Sequence, residues 1–149
     1  MNKLNLIDKV LYETNPGLIN ASFLLLRCTI GIILFIVGSG KILGWFGGFG
    51  FNITAEFYGK MGFSVFLTYL SSYTEFIGGL LLTIGLLTRP AAVLVLINMI
   101  VATIVMLPNG FLGPRGASYP FTFLIITLII LLTGPMNYSL DYFLVKINK

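Results

Sequence analysis

Four long apolar blocks run along the chain, and most polar residues lie in the stretches between them. At a rise of 1.5 Å per residue, about 20 residues cross the hydrocarbon core of a bilayer as a helix. The pattern therefore predicts an all-α fold, a polytopic membrane four-helix bundle that forms one domain over residues 1–149. The predicted spans cover residues 18–43, 64–87, 91–107 and 119–134.

Capping and turn residues mark the ends of these spans. Asn15 followed by Pro16 is typical of a helix start, because Asn caps helix N-termini and Pro is accepted in the first turn. The turn at 88–90 is so short that the second and third spans are expected to be antiparallel neighbours. Pro and Gly at 108–110 and 134–135 end the third and fourth spans.

Three shorter segments are predicted to lie as helices on the membrane surface. Residues 1–20 interleave charged and apolar side chains, as an amphipathic interfacial helix does. Residues 44–62 are rich in glycine and in aromatic residues, which collect at the lipid interface, and a short helix is expected at 54–61. Ser139 is expected to cap a third surface helix at the C-terminus.

Composition places the protein in lipid. The chain is 57% hydrophobic and 9% charged, whereas a soluble domain has about 25% charged residues. The net charge of +4 comes without a basic run with interleaved aromatics, so we expect contact with the lipid bilayer and not with nucleic acid. Basic residues favour the side of the two termini, which the positive-inside rule assigns to the cytoplasm of a multi-pass protein. They are Lys3, Lys9, Arg89, Lys146 and Lys149, against Lys41, Lys60 and Arg115 on the other side.

Two scarce residue types limit the chemistry. The chain has no His, which excludes a His-held haem or metal ion, and we expect no metal site. Cys28 is its single cysteine, which excludes an intrachain disulfide, a CxxC pair and a cysteine-held cluster. No covalent cofactor is therefore expected, and any redox role needs a noncovalent cofactor, a quinone-like substrate or a partner subunit.

Glu75 is the candidate catalytic residue, because a charge within a span is costly and marks a functional site or a buried partner. Counted from the predicted membrane borders, Arg27 and Glu75 differ in depth by roughly 8 Å, which predicts a buried ion pair between them. Either this pair only locks the packing of the helices, or Glu75 binds a polar head group or handles a proton, with Arg27 setting its pKa.

The other polar residues of the spans leave alternatives open. Lys41 either reaches the lipid interface or points into the mouth of the bundle. Asn98 either bonds a neighbouring helix or contacts a ligand, and Tyr73 either anchors the interface or bonds a quinone carbonyl. The candidate substrate-binding residues, in a polar pocket between the first and second spans, are Arg27, Lys41, Tyr73, Glu75 and Asn98. The residues predicted to pack helices are Gly31, Gly38, Gly78 and Gly79.

Several motifs are similar to those of the DoxX family of small bacterial membrane proteins, which is related to the small subunit of thiosulfate:quinone oxidoreductase. The resemblance covers most of the chain, and the block from residue 75 to residue 92 is its most specific part. The matching residues are Arg27 and Gly31; Phe35-x-x-Gly38-x-x-Lys41-Ile-Leu-Gly44-x-Phe46; Glu75-x-x-Gly78-Gly79-Leu-Leu-Leu; Gly85-Leu-Leu-Thr88-Arg89-Pro-Ala91-Ala92; Leu107-Pro-Asn-Gly110; and Ser139-Leu-Asp141.

The resemblance implies a small subunit of a quinone-linked redox system in the bacterial cytoplasmic (inner) membrane, with a redox partner subunit. One alternative is a non-enzymatic scaffold that docks a partner through the aromatic loop at 45–58. Another is a carrier of a small solute or a proton, which would need a homo-oligomer to build its pathway. The chain departs from many relatives at two positions. Met106 replaces a His before the Leu-Pro-Asn-Gly turn, and Ser118 replaces an acid before Tyr119.

Overall fold

The structure is a computed structural model that describes residues 15–147. Within that range the chain forms six α-helices and no strand, which confirms the all-α fold. The helices are α1 (Pro16–Leu43), α2 (Gly50–Lys60), α3 (Val65–Ile84), α4 (Thr88–Met106), α5 (Ser118–Thr133) and α6 (Leu140–Ile147). The four long helices begin and end within three residues of the predicted boundaries. The predicted N-terminal surface helix lies mostly outside the described residues.

Three helices of the bundle are long and apolar enough to cross a membrane: α1, α3, and α4 with the 3-10 turn that follows it. The fourth, α5, is also apolar but has only 16 residues. It runs antiparallel to α4, since Gly134 at its end lies beside Arg89 at the start of α4. The buried core is apolar and includes Leu34, Leu82 and Val95. The outer faces of the helices are also apolar, as expected of a protein whose solvent is lipid.

Local chemistry explains where the helices begin and end. The Asn15 side chain accepts a hydrogen bond of 2.8 Å from the Gly17 amide and so caps α1. Ser64 caps α3 by accepting from the Leu67 amide. Gly44 and Gly85 end the same two helices in the left-handed conformation that glycine adopts without a steric penalty.

Glycines bring α1 and α3 into backbone contact along an antiparallel pair. A Cβ on Gly38 would overlap the backbone of Phe76, and one on Gly79 would come within 2.5 Å of the Phe35 nitrogen. Gly31 lies equally close to Thr83. This close approach fixes the register of the two helices, since no side chain separates them at these points.

The first loop folds back over one end of the bundle. Gly48 lies against Gly40 of α1, and Thr54 of α2 donates hydrogen bonds to the carbonyl oxygens of Gly50 and Lys41. The Phe51 ring stacks on Tyr69 of α3 with centroids 3.6 Å apart. The helix predicted at 54–61 is therefore present but begins earlier, at residue 50, and covers the ends of α1 and α3.

The opposite end is closed by the segment that leads into α6. The Asp141 carboxylate accepts hydrogen bonds of 2.8 Å from the amides of Leu87 and Thr88, at the turn between α3 and α4. Arg27 of α1 donates to the carbonyl oxygens of Pro135 (2.8 Å) and Tyr138 (2.6 Å). We call these four hydrogen bonds the C-terminal clamp. They tie the end of the described chain to α1 and to the turn between α3 and α4.

Candidate ligand site

A buried ion pair joins α1 to α3. The Nζ atom of Lys41 donates a 2.8 Å hydrogen bond to Oε1 of Glu75. It also lies 2.6 Å from Oε2, an ionic contact without hydrogen-bond geometry. Glu75 is 5% exposed. Removing such a pair from water costs several kcal/mol per ion, so each charge depends on the other to remain buried.

The glycine contacts explain why these two residues meet. They place Gly38 level with the backbone of residues 75 and 76, so Lys41 in the last turn of α1 lies close to Glu75. Its side chain then needs to bend only a short way to reach the carboxylate. The helix register, set by small residues, thus creates the charge pair.

Two further polar side chains extend the pair into a network across four helices. Tyr58 of α2 accepts a 3.1 Å hydrogen bond from Lys41 Nζ at its phenol oxygen. Asn98 of α4 donates a 3.3 Å bond from Nδ2 to Glu75 Oε1. One turn before Glu75, the hydroxyl of Ser72 is fully buried and has no hydrogen-bond partner within the described part of the chain. The site thus holds unused hydrogen-bonding capacity.

A cavity of about 290 Å³ adjoins this network between α2, α3 and α4. Most of its lining is apolar and comes from Leu, Ile, Val, Met and Phe side chains of the three helices. Its polar lining residues are Tyr58, Ser71, Thr74 and Asn98. Tyr58 and Asn98 are therefore both wall residues of the cavity and members of the network. An apolar chamber with a few convergent polar groups is the usual form of a small-molecule site.

Arg27 does not pair with Glu75, so that hypothesis is wrong. Its guanidinium belongs to the C-terminal clamp and lies beside Gly85, where a Cβ would come within 2.7 Å of it. Since Glu75 is level with Gly38, eleven residues further along α1, the two charges differ in depth by about 17 Å. Distance from the membrane borders does not give the relative depth of the two residues, because the glycine contacts set the register of α1 and α3.

The cavity is also not where the sequence placed it. Between α1 and α3 the glycine contacts leave no room for a ligand, and the cavity lies on the other side of α3. Tyr73 is 43% exposed and stacks on Tyr69, with centroids 6.1 Å apart, and it does not line this cavity in the described chain. Of the five candidate residues, the structure brings together Lys41, Glu75 and Asn98.

Tyr58 is the site residue that sequence reasoning missed. It was counted among many interfacial aromatics, and no local pattern distinguishes it from Phe57 beside it. The pairing of Lys41 with Glu75 did leave a signal. Glycines recur at 31 and 38 in the first span and at 78 and 79 in the second, and antiparallel packing through them brings Lys41 to within about one turn of Glu75. Met106, which precedes the Leu-Pro-Asn-Gly turn, lines the cavity.

Comparison with known proteins supports the motif analysis. The family model described as DoxX matches residues 22–108, more than half of the chain. A protein of Bacillus subtilis (strain 168), named "Putative oxidoreductase CatD", is 36% identical over 127 residues, which cover 85% of this chain and 89% of that protein. No solved structure gave a significant match.

Proposed function

The chain belongs to the DoxX family of membrane proteins, and we propose that it is a small membrane subunit of a quinone-linked redox system. The quinone ring is held in the cavity between α2, α3 and α4. The oxidoreductase name of the Bacillus subtilis relative supports the redox assignment. The electrons come from a partner subunit, and this chain supplies the lipid-embedded binding site.

The observation that carries the proposal is the pair of hydrogen-bond donors on the wall of the apolar cavity. Tyr58 accepts from Lys41, which leaves its own O–H proton available. Asn98 uses one N–H on Glu75 and has a second N–H to offer. A quinone needs an apolar slot for its ring and donors for its carbonyl oxygens. In this proposal Lys41 and Glu75 orient the two donors, and Glu75 acts as a positioning residue.

Binding of menadione, a naphthoquinone without a tail, to purified protein in lipid nanodiscs tests the proposal. Asn98→Leu and Tyr58→Phe each remove one donor worth about 0.5–1.5 kcal/mol, so each should weaken binding by roughly 2- to 13-fold. Ala102→Phe places a ring inside the cavity and should abolish binding. The matched control is Ala21→Phe on the exposed face of α1, which should bind as the wild type does. Equal binding by all four variants would overturn the proposal.

We also propose an orientation in the bacterial inner membrane with both termini in the cytoplasm. The C-terminal clamp end carries Arg27 and Arg89, and Lys146 follows in α6. The sequence adds Lys3, Lys9 and Lys149 on the side of the termini, so six basic residues stand against Lys41, Lys60 and Arg115, and the positive-inside rule favours this side for the cytoplasm. A fluorescent protein fused after residue 149 should fold and fluoresce in the cytoplasm, whereas a periplasmic alkaline phosphatase fusion there should be inactive. The reverse pattern would place this end outside.

A further inference from the structure

We propose that the ligand of the cavity is a tailed, lipid-soluble molecule that enters sideways from the bilayer, between α3 and α4, and keeps its hydrocarbon tail in that gap. The inference rests on the proposed quinone site and adds the class of ligand and the route of entry.

The gap follows from the way that α3 and α4 meet. Midway along the two helices they touch closely, since a Cβ on Gly78 would come within 2.7 Å of Val95 Cγ2. Beyond this contact, towards the end covered by α2, the cavity lies between the two helices. The pair therefore forms a wedge that is closed near the clamp end and holds a chamber near the other end.

The rim of the chamber is apolar and exposed. It consists of five residues, each between 43% and 56% exposed, which also line the cavity. They are Leu67, Leu70, Leu94, Ile97 and Val101. All five lie in helices that are long and apolar enough to cross the membrane, so the rim faces acyl chains. Such an opening admits a molecule dissolved in lipid and offers a water-soluble one no polar contact.

The other walls of the chamber are less open. Phe57 and Tyr58 of α2, with Met61 just after it, line the end of the chamber, and Phe57 and Met61 are each 40% exposed, less than any of the five rim residues. The guanidinium of Arg115, in the loop before α5, lies 6.0 Å from the centroid of the Phe57 ring, within reach of a cation–π contact. On the inner side, the Lys41–Glu75 pair stands behind Tyr58 and Asn98. The side between α3 and α4 is therefore the least obstructed route.

The depth of the polar wall sets how the ligand lies. Asn98 is eight residues, about 12 Å, from the end of α4 at Met106, and Leu94 is about 6 Å deeper. A polar head bonded to Asn98 is thus already within the hydrocarbon core, which is about 30 Å thick. Its tail then continues along the apolar rim and outward into the bilayer. An isoprenoid quinone has this form, with a small ring of two carbonyls and one hydrocarbon tail.

The test compares a tailless and a tailed quinone on protein in nanodiscs of phosphatidylethanolamine and phosphatidylglycerol. The probes are menadione and menaquinone-2, which share a ring and differ in two isoprenyl units. Ile97→Trp and Leu70→Trp fill the gap at exposed rim positions, where a larger side chain does not disturb the core. The matched control is Ile104→Trp, which is also exposed on α4, at 65%, and is not among the residues that line the cavity.

We expect the wild type to bind menaquinone-2 at least tenfold more tightly than menadione. The two rim variants should lose that advantage and keep menadione binding within about threefold, and Ile104→Trp should change neither. Retained menadione binding also shows that the rim variants fold. If the rim variants bind menaquinone-2 as tightly as the wild type does, the tail does not lie in the gap, the sideways route is wrong and the quinone site stands. If the wild type binds neither probe, the proposed function itself fails.

Discussion

At the scale of single residues, the Lys41–Glu75 pair is the interaction on which the candidate site depends. Lys41→Met should be strongly destabilising, because it leaves the Glu75 carboxylate buried without its positive partner. Breaking one side of a buried pair costs about 3–5 kcal/mol. The measurement is the free energy of unfolding of the purified protein, from thermal or SDS denaturation in mixed micelles.

A double variant separates lost charge balance from lost packing. Lys41→Met combined with Glu75→Gln removes both charges and should recover most of the stability. Lys60→Met breaks the exposed pair with Glu56, whose atoms lie 2.8 Å apart, and should change stability by less than about 1 kcal/mol. A double variant as unstable as Lys41→Met alone would mean that the lysine stem, and not its charge, supports the fold.

At the scale of elements, the glycines between α1 and α3 set which residues meet. Gly38→Ala should destabilise the protein by about 1–3 kcal/mol, because its Cβ would overlap the Phe76 backbone, which cannot rotate away. Gly59→Ala is the matched control, since a Cβ there meets nothing within 4 Å, and it should be neutral or slightly stabilising. Thermal unfolding in detergent measures both, and equal effects would argue against the close contact.

This dependence on register also explains what the sequence could predict. The helices and the first cap followed from local chemistry, such as Asn15 at the start of α1. The turn expected at 88–90 lies at 85–87 instead, because Gly85 ends α3 and Thr88 already begins α4. The partner of Glu75 could not be predicted in this way. If one packed helix slides along the other, every residue pairing between them changes while the apolar pattern of the sequence stays the same. Tyr58 was missed for a related reason. Its role depends on the position of the first loop over α1, and no periodic pattern in the sequence predicts that position.

At the scale of the whole molecule, two polar assemblies hold opposite ends of an apolar bundle. The Lys41–Glu75 network connects α1, α3 and α4 beside the cavity. The C-terminal clamp connects α1 and the turn between α3 and α4 to the C-terminal segment at the opposite end of the bundle. The clamp also stabilises an unusual backbone conformation in the turn between α3 and α4. Leu87 has a left-handed φ of 48°, unusual for a branched residue, and the Asp141 carboxylate holds its amide and that of Thr88. Both amides are at the N-terminus of α4, where a negative charge is favourable.

Because of the clamp, we expect the free energy of unfolding to decrease at acid pH. Partial burial raises the pKa of the Asp141 carboxyl, but the hydrogen bonds from Thr88 and Leu87 and the charge of Arg27 outweigh it, so the pKa lies below its ordinary value of 3.8. Because the folded carboxyl binds protons more weakly than the unfolded one, its contribution is complete above about pH 4. It is lost as pH falls through the lowered pKa of the folded state.

Asp141→Asn tests this linkage, because the amide keeps the shape of the side chain and cannot ionise. At pH 7 the variant should unfold more easily than the wild type by about 1 kcal/mol, since one of the two amides loses its acceptor. The difference between their midpoint temperatures should shrink when both are measured near pH 3. Glu56→Gln is the control, because Lys60 also lowers the pKa of Glu56 by a hydrogen bond, but at an exposed position where the pair contributes little. A gap that stays constant between the two pH values would show that the Asp141 charge does not hold the turn, and the clamp would then rest on Arg27 alone.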